Sequence, residues 1–501
     1  MLLKKRLSDT VQLAVSYEDG TRYGSVLTGR CDQLIRQKLR HVAELRRERG
    51  LAHVVERSLE ILTEAMRETS LGALYVRDGQ LREACLYPER EAVRPASLLF
   101  FRSPSEAQEF PLSPGLTAEL ATWCGEWQQG ASAPQAPEAR QLWDALDAAG
   151  LLTDEPPLPP VEGEMVFGGH AMLRVGRTQR VLVDPFVLPR HSRYPASYQP
   201  FTYSELAPTA ICITHSHPDH FDVGSLLRFG PDIPIFVPAV PRESILAVDM
   251  AYRLRELGFR DVRPLPWFSE ADLGSARISS LPFYGEQPTS GESLHPEVRN
   301  MGNLYVIECE GRRCAVTADA GWDRDGSTAD LALLSRRKQG ALDVLFGGYR
   351  SWAMYPIQYL FCSVTSYLLF VPRDQWHVRQ RIMNGLEELF DTAERWQARH
   401  VVPYADGGAP WYWERGLGPR LDGAEAATSG RGRPNRHFDP DPEDAIALQG
   451  MRSTAADGSP IASPTRVQLM RPGQALDFSA TPLRQFDTPG HVWPYGSEAR
   501  P

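Results

Sequence analysis

The sequence lacks the features that mark several large classes of protein. Among its 501 residues there is no run of about 18 apolar residues, so we expect no membrane-spanning helix. An excess of positive charge is also missing: 54 Lys and Arg stand against 63 Asp and Glu, and the net charge of −9 argues against nucleic acid as the main partner. The first residues, MLLKKRLSDTVQL, turn polar too early for the apolar core of a signal peptide.

Cysteine pairs with the spacing of a redox or zinc motif are absent as well. The seven cysteines include no Cys-x-x-Cys pair and are odd in number. Reduced thiols in the cytoplasm are the simplest interpretation. We therefore expect a cytoplasmic protein with neither a membrane nor a nucleic acid among its partners.

The composition is that of a globular protein. The proline-rich segment DEPPLPPVEGE (154–164), which is typical of a stiff linker, divides the chain into two parts. Residues 1–153 combine helical spacing over 32–67 with a predicted hairpin over 73–87 and indicate a smaller α/β domain. Residues 165–414 alternate short apolar runs with turns and helical segments, which is typical of a layered α/β fold. Residues 415–501 are rich in Gly, Pro, Arg and Ala with little periodicity, so we expect an extended tail.

The most informative stretch is ICITHSHPDHFD, residues 211–222, in which a buried-looking strand ends in a polar loop. Imidazole and carboxylate groups at this density suit divalent metals such as zinc and iron. A solvated turn before a helix is the alternative interpretation, and the aliphatic run before the histidines argues against it. The loop offers four candidate metal ligands: His215, His217, Asp219 and His220.

This His-x-His-x-Asp-His pattern resembles the motif of the metallo-β-lactamase fold. Three further segments match that fold in order: GGHAMLRV (168–175), VLVDPF (181–186) and AVTADAGWD (315–323). The resemblance implies an αββα sandwich over roughly residues 165–410 and a dinuclear metal centre bridged by Asp319. It identifies the fold better than the reaction, because one fold hosts many chemistries.

Two positions depart from the hydrolytic members of this fold. Those members usually complete the first metal site with a histidine, whereas the corresponding segment here, ISSLPFYGEQPTSGE, offers Glu286, with His295 as the second choice. The last ligand is usually a histidine after a final strand. Here ARHVVPYADGGAPW offers Asp406 beyond the strand, with His400 and Tyr404 as alternatives. The predicted ligand set is His215, His217, Asp219, His220, Glu286, Asp319 and Asp406, and catalysis is expected to depend most on Glu286 and Asp319.

Three histidines and four carboxylates favour iron over zinc, because carboxylates stabilise higher oxidation states and can bridge two metals. The pattern resembles the diiron β-hydroxylases, known from chloramphenicol biosynthesis, which act on an aminoacyl thioester of a carrier domain. That resemblance implies two Fe ions, O2 as co-substrate and a monooxygenase of a specialised biosynthetic pathway. Since the sequence shows no flavin or iron–sulfur motif, we also expect an external electron donor or reductase. Its substrate would be a small molecule or a carrier-tethered group. The alternatives are a dinuclear zinc hydrolase of an ester, amide, lactone or phosphodiester, with two Zn ions, and a non-catalytic scaffold.

Other candidate residues carry weaker signals. His170 and Asp184 are expected to orient metal ligands, or else to be a backbone-satisfied histidine and a turn aspartate. The loop GGYRSWAMYP is expected to hold a substrate carboxylate or phosphate through Tyr349, Arg350 and Trp352, or simply to pack.

A basic strip in the N-terminal domain is expected to dock an acidic carrier domain, unless it is a solvated helix face. Without a docking role, this domain would be a structural element or would form a homodimer. The strip consists of Arg30, Arg36, Lys38, Arg40, Arg46, Arg47 and Arg49.

Overall fold

The fold is described from a computed structural model, and the statements below concern the residues that it describes. These are 4–18, 83–87, 94–101, 107–187, 199–332, 340–349, 355–356, 359, 364–405, 442–454, 465–478, 483–489 and 491. The predicted helices over 32–67 and the basic strip lie outside these residues. No helix within the described ranges combines the length and apolar character needed to cross a bilayer.

The N-terminal region forms two small sheets and two longer helices. Strands β2, β3 and β4 pair as an antiparallel sheet, and β1 pairs with β5. Helix α2 begins after Ser113, whose hydroxyl accepts the N–H of Leu116, a typical N-terminal cap. The strands are β1 (Arg6–Leu7), β2 (Gln12–Tyr17), β3 (Pro95–Phe101), β4 (Ala107–Pro111) and β5 (Leu152–Thr153). The helices are α1 (Glu83–Leu86), α2 (Pro114–Gln129) and α3 (Pro137–Ala148).

The predicted hairpin over 73–87 is wrong where the structure can be compared with it. Residues 83–86 form the helical turn α1, which agrees with the helix-forming character of Glu, Ala and Leu. The proline-rich residues 154–160 are exposed and form neither helix nor strand.

The first large sheet has eight strands in the order β11-β10-β9-β8-β7-β6-β21-β22. Its parallel part, β8 to β11, is built from apolar runs such as VLV, AIC and IFVP, because parallel strands are covered on both faces. Its strands up to β11 are β6 (Met165–Gly169), β7 (Met172–Val175), β8 (Val181–Val183), β9 (Ala210–Cys212), β10 (Ile235–Pro238) and β11 (Val262–Leu265). The helices among them are α4 (Tyr203–Leu206), α5 (Val223–Leu226) and α6 (Met250–Glu256).

The second large sheet has seven strands in the order β12-β13-β14-β15-β18-β19-β20, and β16 pairs with β17 in a small separate hairpin. The strands of this sheet up to β19 are β12 (Glu270–Asp272), β13 (Ala276–Pro282), β14 (Asn303–Cys309), β15 (Arg312–Val316), β18 (Val344–Gly348) and β19 (His400–Tyr404). The hairpin consists of β16 (Trp322–Asp323) and β17 (Gly326–Ser327). Two 3-10 helices, Thr365–Phe370 and Arg373–Gln375, precede α7 (Leu386–Arg395). The C-terminal elements are α8 (Pro442–Arg452), β20 (Arg466–Val467), β21 (Gln474–Asp477) and β22 (Arg484–Asp487).

The two large sheets pack face to face with helices on their outer faces. One buried cluster lies between the sheets and joins side chains such as Phe236 of β10 to Ile307 of β14. A second cluster covers the outer face of the seven-stranded sheet and includes Leu389 and Trp396 at α7. This arrangement confirms the predicted αββα sandwich.

The N-terminal region shares its core with the outer face of the eight-stranded sheet. A single cluster of buried apolar side chains contains both Leu7 of β1 and Val262 of β11. The guanidinium of Arg228, which is 1% exposed, donates to the carbonyl of Val11 at 2.6 Å and to the side chain of Gln128 at 2.7 Å. Gly224 lies so close to β2 that a Cβ there would meet the carbonyl oxygen of Leu13 at 1.7 Å. The N-terminal region therefore packs as part of the same body.

The C-terminal segment is not the extended tail that composition suggests, where the structure describes it. Strand β20 pairs with β19 in the second sheet. Strand β21 pairs with β6 in the first sheet, and β22 pairs with β21. The expectation fails because strands of two to four residues leave no periodicity to detect, and they exist only by pairing with edges formed earlier in the chain.

Candidate metal centre

The candidate metal centre lies where the two sheets meet at the ends of their strands. Strand β8 ends just before Asp184, and β9 ends just before the loop of residues 213–220. In the second sheet, β15 ends shortly before Asp319, and the loop after β13 carries Glu286. The N–H of Asn303, at the start of β14, donates to the carbonyl of Thr214 at 2.7 Å and joins the two sheets at this point. Carboxyl ends of strands are the usual place for ligand sites in α/β sheets.

The first group of candidate ligands contains His215, His217 and Glu286. The Nε2 atom of His215 lies 3.0 Å from Oε2 of Glu286, and the Nδ1 atom of His217 lies 3.1 Å from Oε1. The two histidine nitrogens are 3.0 Å apart. All three side chains are buried. Two imidazoles and one carboxylate that converge in this way form a donor set suited to zinc or iron.

The second group contains Asp219, His220 and Asp319. The Nε2 atom of His220 lies 3.4 Å from Oδ2 of Asp319 and 3.8 Å from Oδ2 of Asp219. This nitrogen is buried and forms no hydrogen bond with any described residue. A buried imidazole nitrogen without a hydrogen bond, aimed at two carboxylates, fits a metal ligand.

Asp319 connects the two groups. Single donor atoms of His215, His220 and Asp319 lie within 4.8 Å of one another, as do those of His215, His217 and Glu286. Asp319 is grouped with one histidine from each set, so its carboxylate lies between the two groups. A third group of the same kind joins His170 to Asp219 and His220.

Asp184 lies behind two of the histidines and is fully buried. Its Oδ2 atom accepts from Nδ1 of His220 at 2.8 Å and from the hydroxyl of Thr214 at 2.6 Å. The Thr214 hydroxyl lies 3.0 Å from Nδ1 of His215. The Thr214 hydroxyl donates its proton to Asp184, so its oxygen accepts the Nδ1 proton of His215. His215 and His220 are therefore both protonated at Nδ1 and direct Nε2 toward the centre.

His170 and Tyr367 contact the remaining two ligands of the motif. The Nε2 atom of His170 lies 3.1 Å from Oδ2 of Asp219. The hydroxyl of Tyr367 lies 2.8 Å from Nε2 of His217. Sequence reasoning singled out His170 and Asp184 but missed Thr214 and Tyr367. Thr214 could have been found from its place beside the motif, whereas Tyr367 carries no signal in the sequence.

The backbone around the centre is strained. Five non-glycine residues here have left-handed φ values between 44° and 57°, a conformation that costs side chains energy and is common at functional sites. They are His170, Asp184, Glu286, Ala318 and Ala405.

The charges of the site compensate one another. Burial opposes the charged form of His220, but the carboxylates of Asp319, Asp219 and Asp184 outweigh it and raise the pKa of His220 well above its ordinary value. Burial likewise opposes ionisation of Asp219, yet His220 and His170 hold the pKa of Asp219 well below its ordinary value. A bound divalent cation would take the place of the His220 proton.

Several predicted site residues lie elsewhere or outside the described residues. His295 contacts Glu297 at 3.1 Å and packs on Phe370, and it belongs to none of the ligand groups. His400, at the start of β19, packs on Phe478.

The hydroxyl of Tyr404 accepts the N–H of Ala318 at 3.2 Å and so supports the turn before Asp319. Tyr349 is fully buried in the core cluster beneath α7, and its expected substrate contact stays a prediction. Asp406, Arg350 and Trp352 lie outside the described residues.

Comparison with known proteins agrees with this geometry. Residues 179–403 match the family model of the β-lactamase superfamily domain. The chain is 32% identical over 278 residues to the 4-amino-L-phenylalanyl-(CmlP peptidyl-carrier-protein) 3-hydroxylase of Streptomyces venezuelae, a match that covers 51% of this chain and 47% of that protein. The matched region thus spans about half the length of this curated relative.

Solved structures give the same fold over most of the chain. The crystal structure of CmlA, a diiron β-hydroxylase from Streptomyces venezuelae, superposes with a TM-score of 0.59 and 16% identity, covering 97% of this chain and 100% of that one. A mutant of the CmlA β-hydroxylase gives a TM-score of 0.57 at 16% identity, covering 96% and 100%. Residues 179–403 therefore resemble a β-lactamase superfamily domain, and the chain has the metallo-β-lactamase fold and resembles the diiron β-hydroxylase CmlA.

Proposed function

We propose that this protein is a non-haem diiron monooxygenase that hydroxylates an organic substrate with O2. The observation that carries the proposal is Glu286, a carboxylate that contacts both His215 and His217 where hydrolytic relatives carry a histidine. The resemblance to a curated hydroxylase and to a diiron β-hydroxylase supports the same reaction class.

One iron would be held by His215, His217 and Glu286, and the other by Asp219 and His220, with Asp319 between them. Asp406 is proposed as the last ligand. When bound, the iron pair supplies the reductive activation of O2 that hydroxylation of a C–H bond requires.

The chain's own side chains prepare the site for this chemistry. His215 and His220 are fully buried, which keeps bulk water from the inner side of the centre. Carboxylates such as those of Glu286 and Asp219 can bind through one oxygen or two, so the number of ligand atoms can change without movement of the backbone. A histidine in place of Glu286 would lack this freedom.

The reaction defines two partners that we include in the proposal. Hydroxylation places one oxygen atom in the product and reduces the other to water, so two electrons are needed from an external donor or reductase. The curated relative acts, by its name, on an aminoacyl group of a peptidyl-carrier protein. We propose a carrier-tethered acyl group as the substrate here as well, with a free small molecule as the alternative.

Metal analysis of protein purified without chelators tests the reaction class. We expect two irons per chain and consumption of O2 when a chemical reductant and substrate are present. Stoichiometric zinc without iron, together with hydrolysis of an ester or lactone, would replace the proposal by the dinuclear zinc hydrolase that the same donor set also permits.

The variant Glu286→His tests the residue on which the proposal depends. It should still bind two metals but favour zinc, and hydroxylation should be lost. Glu292→His, in the same loop but exposed, is the matched control and should keep both iron and activity. Normal hydroxylation by Glu286→His would show that Glu286 does not determine the chemistry.

Carrier docking has its own test. Reversal of Arg40, Arg46 and Arg47 to Glu should slow turnover of a carrier-tethered substrate at low salt and spare a free analogue, because carriers are acidic and complementary charge guides the encounter. Equal turnover of both substrates would remove the docking role from this strip.

A further inference from the structure

The three histidines of the motif do not present the same nitrogen to the metal centre. His215 and His220 direct Nε2 toward the carboxylates, whereas His217 directs Nδ1 toward Glu286. The nitrogen that a histidine presents is set by the hydrogen bond of its other nitrogen. His217 therefore needs a partner for Nε2 that accepts a proton.

Tyr367 supplies this partner from a distant part of the chain. Its hydroxyl donates to the backbone carbonyl of Glu286 at 2.8 Å and lies 2.8 Å from Nε2 of His217. A phenol has one proton, and a carbonyl oxygen can only accept. Because the Tyr367 proton is used on Glu286, the phenol oxygen accepts the Nε2 proton of His217, and the lone pair of His217 is left on Nδ1.

The same contact holds Glu286. The backbone of Glu286 is left-handed, with φ of 50°, and its N–H donates to the carbonyl of Ile382. Its carbonyl is held by Tyr367. One phenol thus fixes the side chain of one candidate ligand and the main chain of another.

The surroundings hold Tyr367 in place. It lies in the 3-10 helix Thr365–Phe370, and its ring packs edge-on against Tyr359 at 5.4 Å. The hydroxyl of Tyr359 donates to the carbonyl of Pro288 at 2.9 Å, two residues beyond Glu286. Tyr359 therefore braces the same loop and offers a natural control.

We propose that Tyr367 is a positioning residue for the first metal: it selects Nδ1 of His217 as the ligand atom and fixes Glu286 beside it. The inference rests on the metal site of the proposed function but not on the choice between iron and zinc or on hydroxylation. The variant Tyr367→Phe keeps the ring and removes only the hydroxyl.

Metal binding measures the effect. We expect Tyr367→Phe to lose about 10- to 100-fold in affinity for one of two Co²⁺ or Zn²⁺ ions in competition with a chelator, the range typical of outer hydrogen-bond partners, while the other ion binds as in the wild type. Tyr359→Phe should keep both affinities, although it loses a comparable hydrogen bond to the loop. Unchanged affinities in Tyr367→Phe, or equal losses in both variants, would overturn the proposal.

The tautomer provides a second and independent readout. In zinc-loaded wild-type protein, ¹⁵N NMR should show His217 protonated at Nε2, and Tyr367→Phe should lose the corresponding hydrogen-bonded proton signal. A wild-type spectrum with His217 protonated at Nδ1 would also overturn the proposal. Both measurements use zinc or cobalt, so a failure of the hydroxylase proposal would leave them unaffected.

Discussion

Among the residues that the structure describes, the carboxylate of Asp184 belongs to no group of candidate ligands, yet two candidate ligand histidines depend on it for their orientation. It accepts directly from His220 and, through the hydroxyl of Thr214, sets the proton of His215. It also accepts the N–H of Thr214 at 2.7 Å, so it fixes the backbone where the motif begins. Its role requires a group that only accepts hydrogen bonds.

The variant Asp184→Asn tests this role. An amide has one accepting oxygen and one donating nitrogen, so one of the donors that now point at Asp184 would face another donor. We expect a loss of about 10- to 100-fold in affinity for at least one metal, measured by chelator competition. Asp144→Asn, whose side chain is 57% exposed, should change neither affinity nor stability. Unchanged metal binding in Asp184→Asn would contradict this role.

For single residues, the sequence was informative about candidate metal ligands that lie close together in the chain. The motif of residues 215–220 concentrates its candidate ligands in one loop, and the resemblance to the metallo-β-lactamase fold predicted Glu286 and Asp319 as further ligands. Tyr367 could not be predicted, because it reaches His217 across 150 positions and only the folded chain brings the two together. Asp406 stays a prediction, since it lies outside the described residues.

The strands of the C-terminal segment are the elements that sequence reasoning missed. The long hydrophobic strands β13 and β14 and the amphipathic helix α7 follow periods that a sequence displays. Strands β20 to β22 have two to four residues each in a stretch rich in Gly and Pro, and β20 and β21 pair with strands much earlier in the chain, β19 and β6. Their position follows from unpaired sheet edges and not from their own pattern.

Leu476 tests whether this segment belongs to the fold. It lies in β21, is fully buried, and packs in the cluster between the two sheets. Leu476→Ala should lower the free energy of unfolding by about 2–5 kcal/mol, measured by denaturant titration, because it leaves a cavity in the core. Ile446→Ala, in the same segment but at a side chain that is 48% exposed, should have almost no effect. Equal, small effects would mean that the segment is a detached tail.

For the molecule as a whole, stability depends on contacts between regions far apart in the chain. Arg228 joins the N-terminal strands to the eight-stranded sheet. At the other end of the chain, the ring of His491 packs on Phe201 with centroids 4.6 Å apart. Burial lowers the pKa of His491 to about 4, against the opposing effect of Asp487.

His491 therefore makes the stability depend on pH. Above pH 6.5 the imidazole is neutral in both folded and unfolded chains. As the pH falls from 6.5 toward 4, His491 becomes protonated in the unfolded chain but stays neutral in the folded chain. The free energy of unfolding therefore falls over this range, by about 3 kcal/mol in total. Denaturant titrations between pH 7 and 4.5 should show a smaller loss for His491→Phe, whereas the exposed His377→Phe should follow the wild type. An identical loss in His491→Phe and wild type would contradict this assignment.

The late position of strands β20 to β22 also determines when the fold can close during synthesis. A ribosome adds about 5–20 residues per second, so tens of seconds pass between the emergence of His220 and that of Asp487. Throughout this interval the nascent chain carries its metal-binding loop beside two open sheet edges, at β6 and β19. We therefore expect both sheet edges to be covered only after β22 has left the exit tunnel.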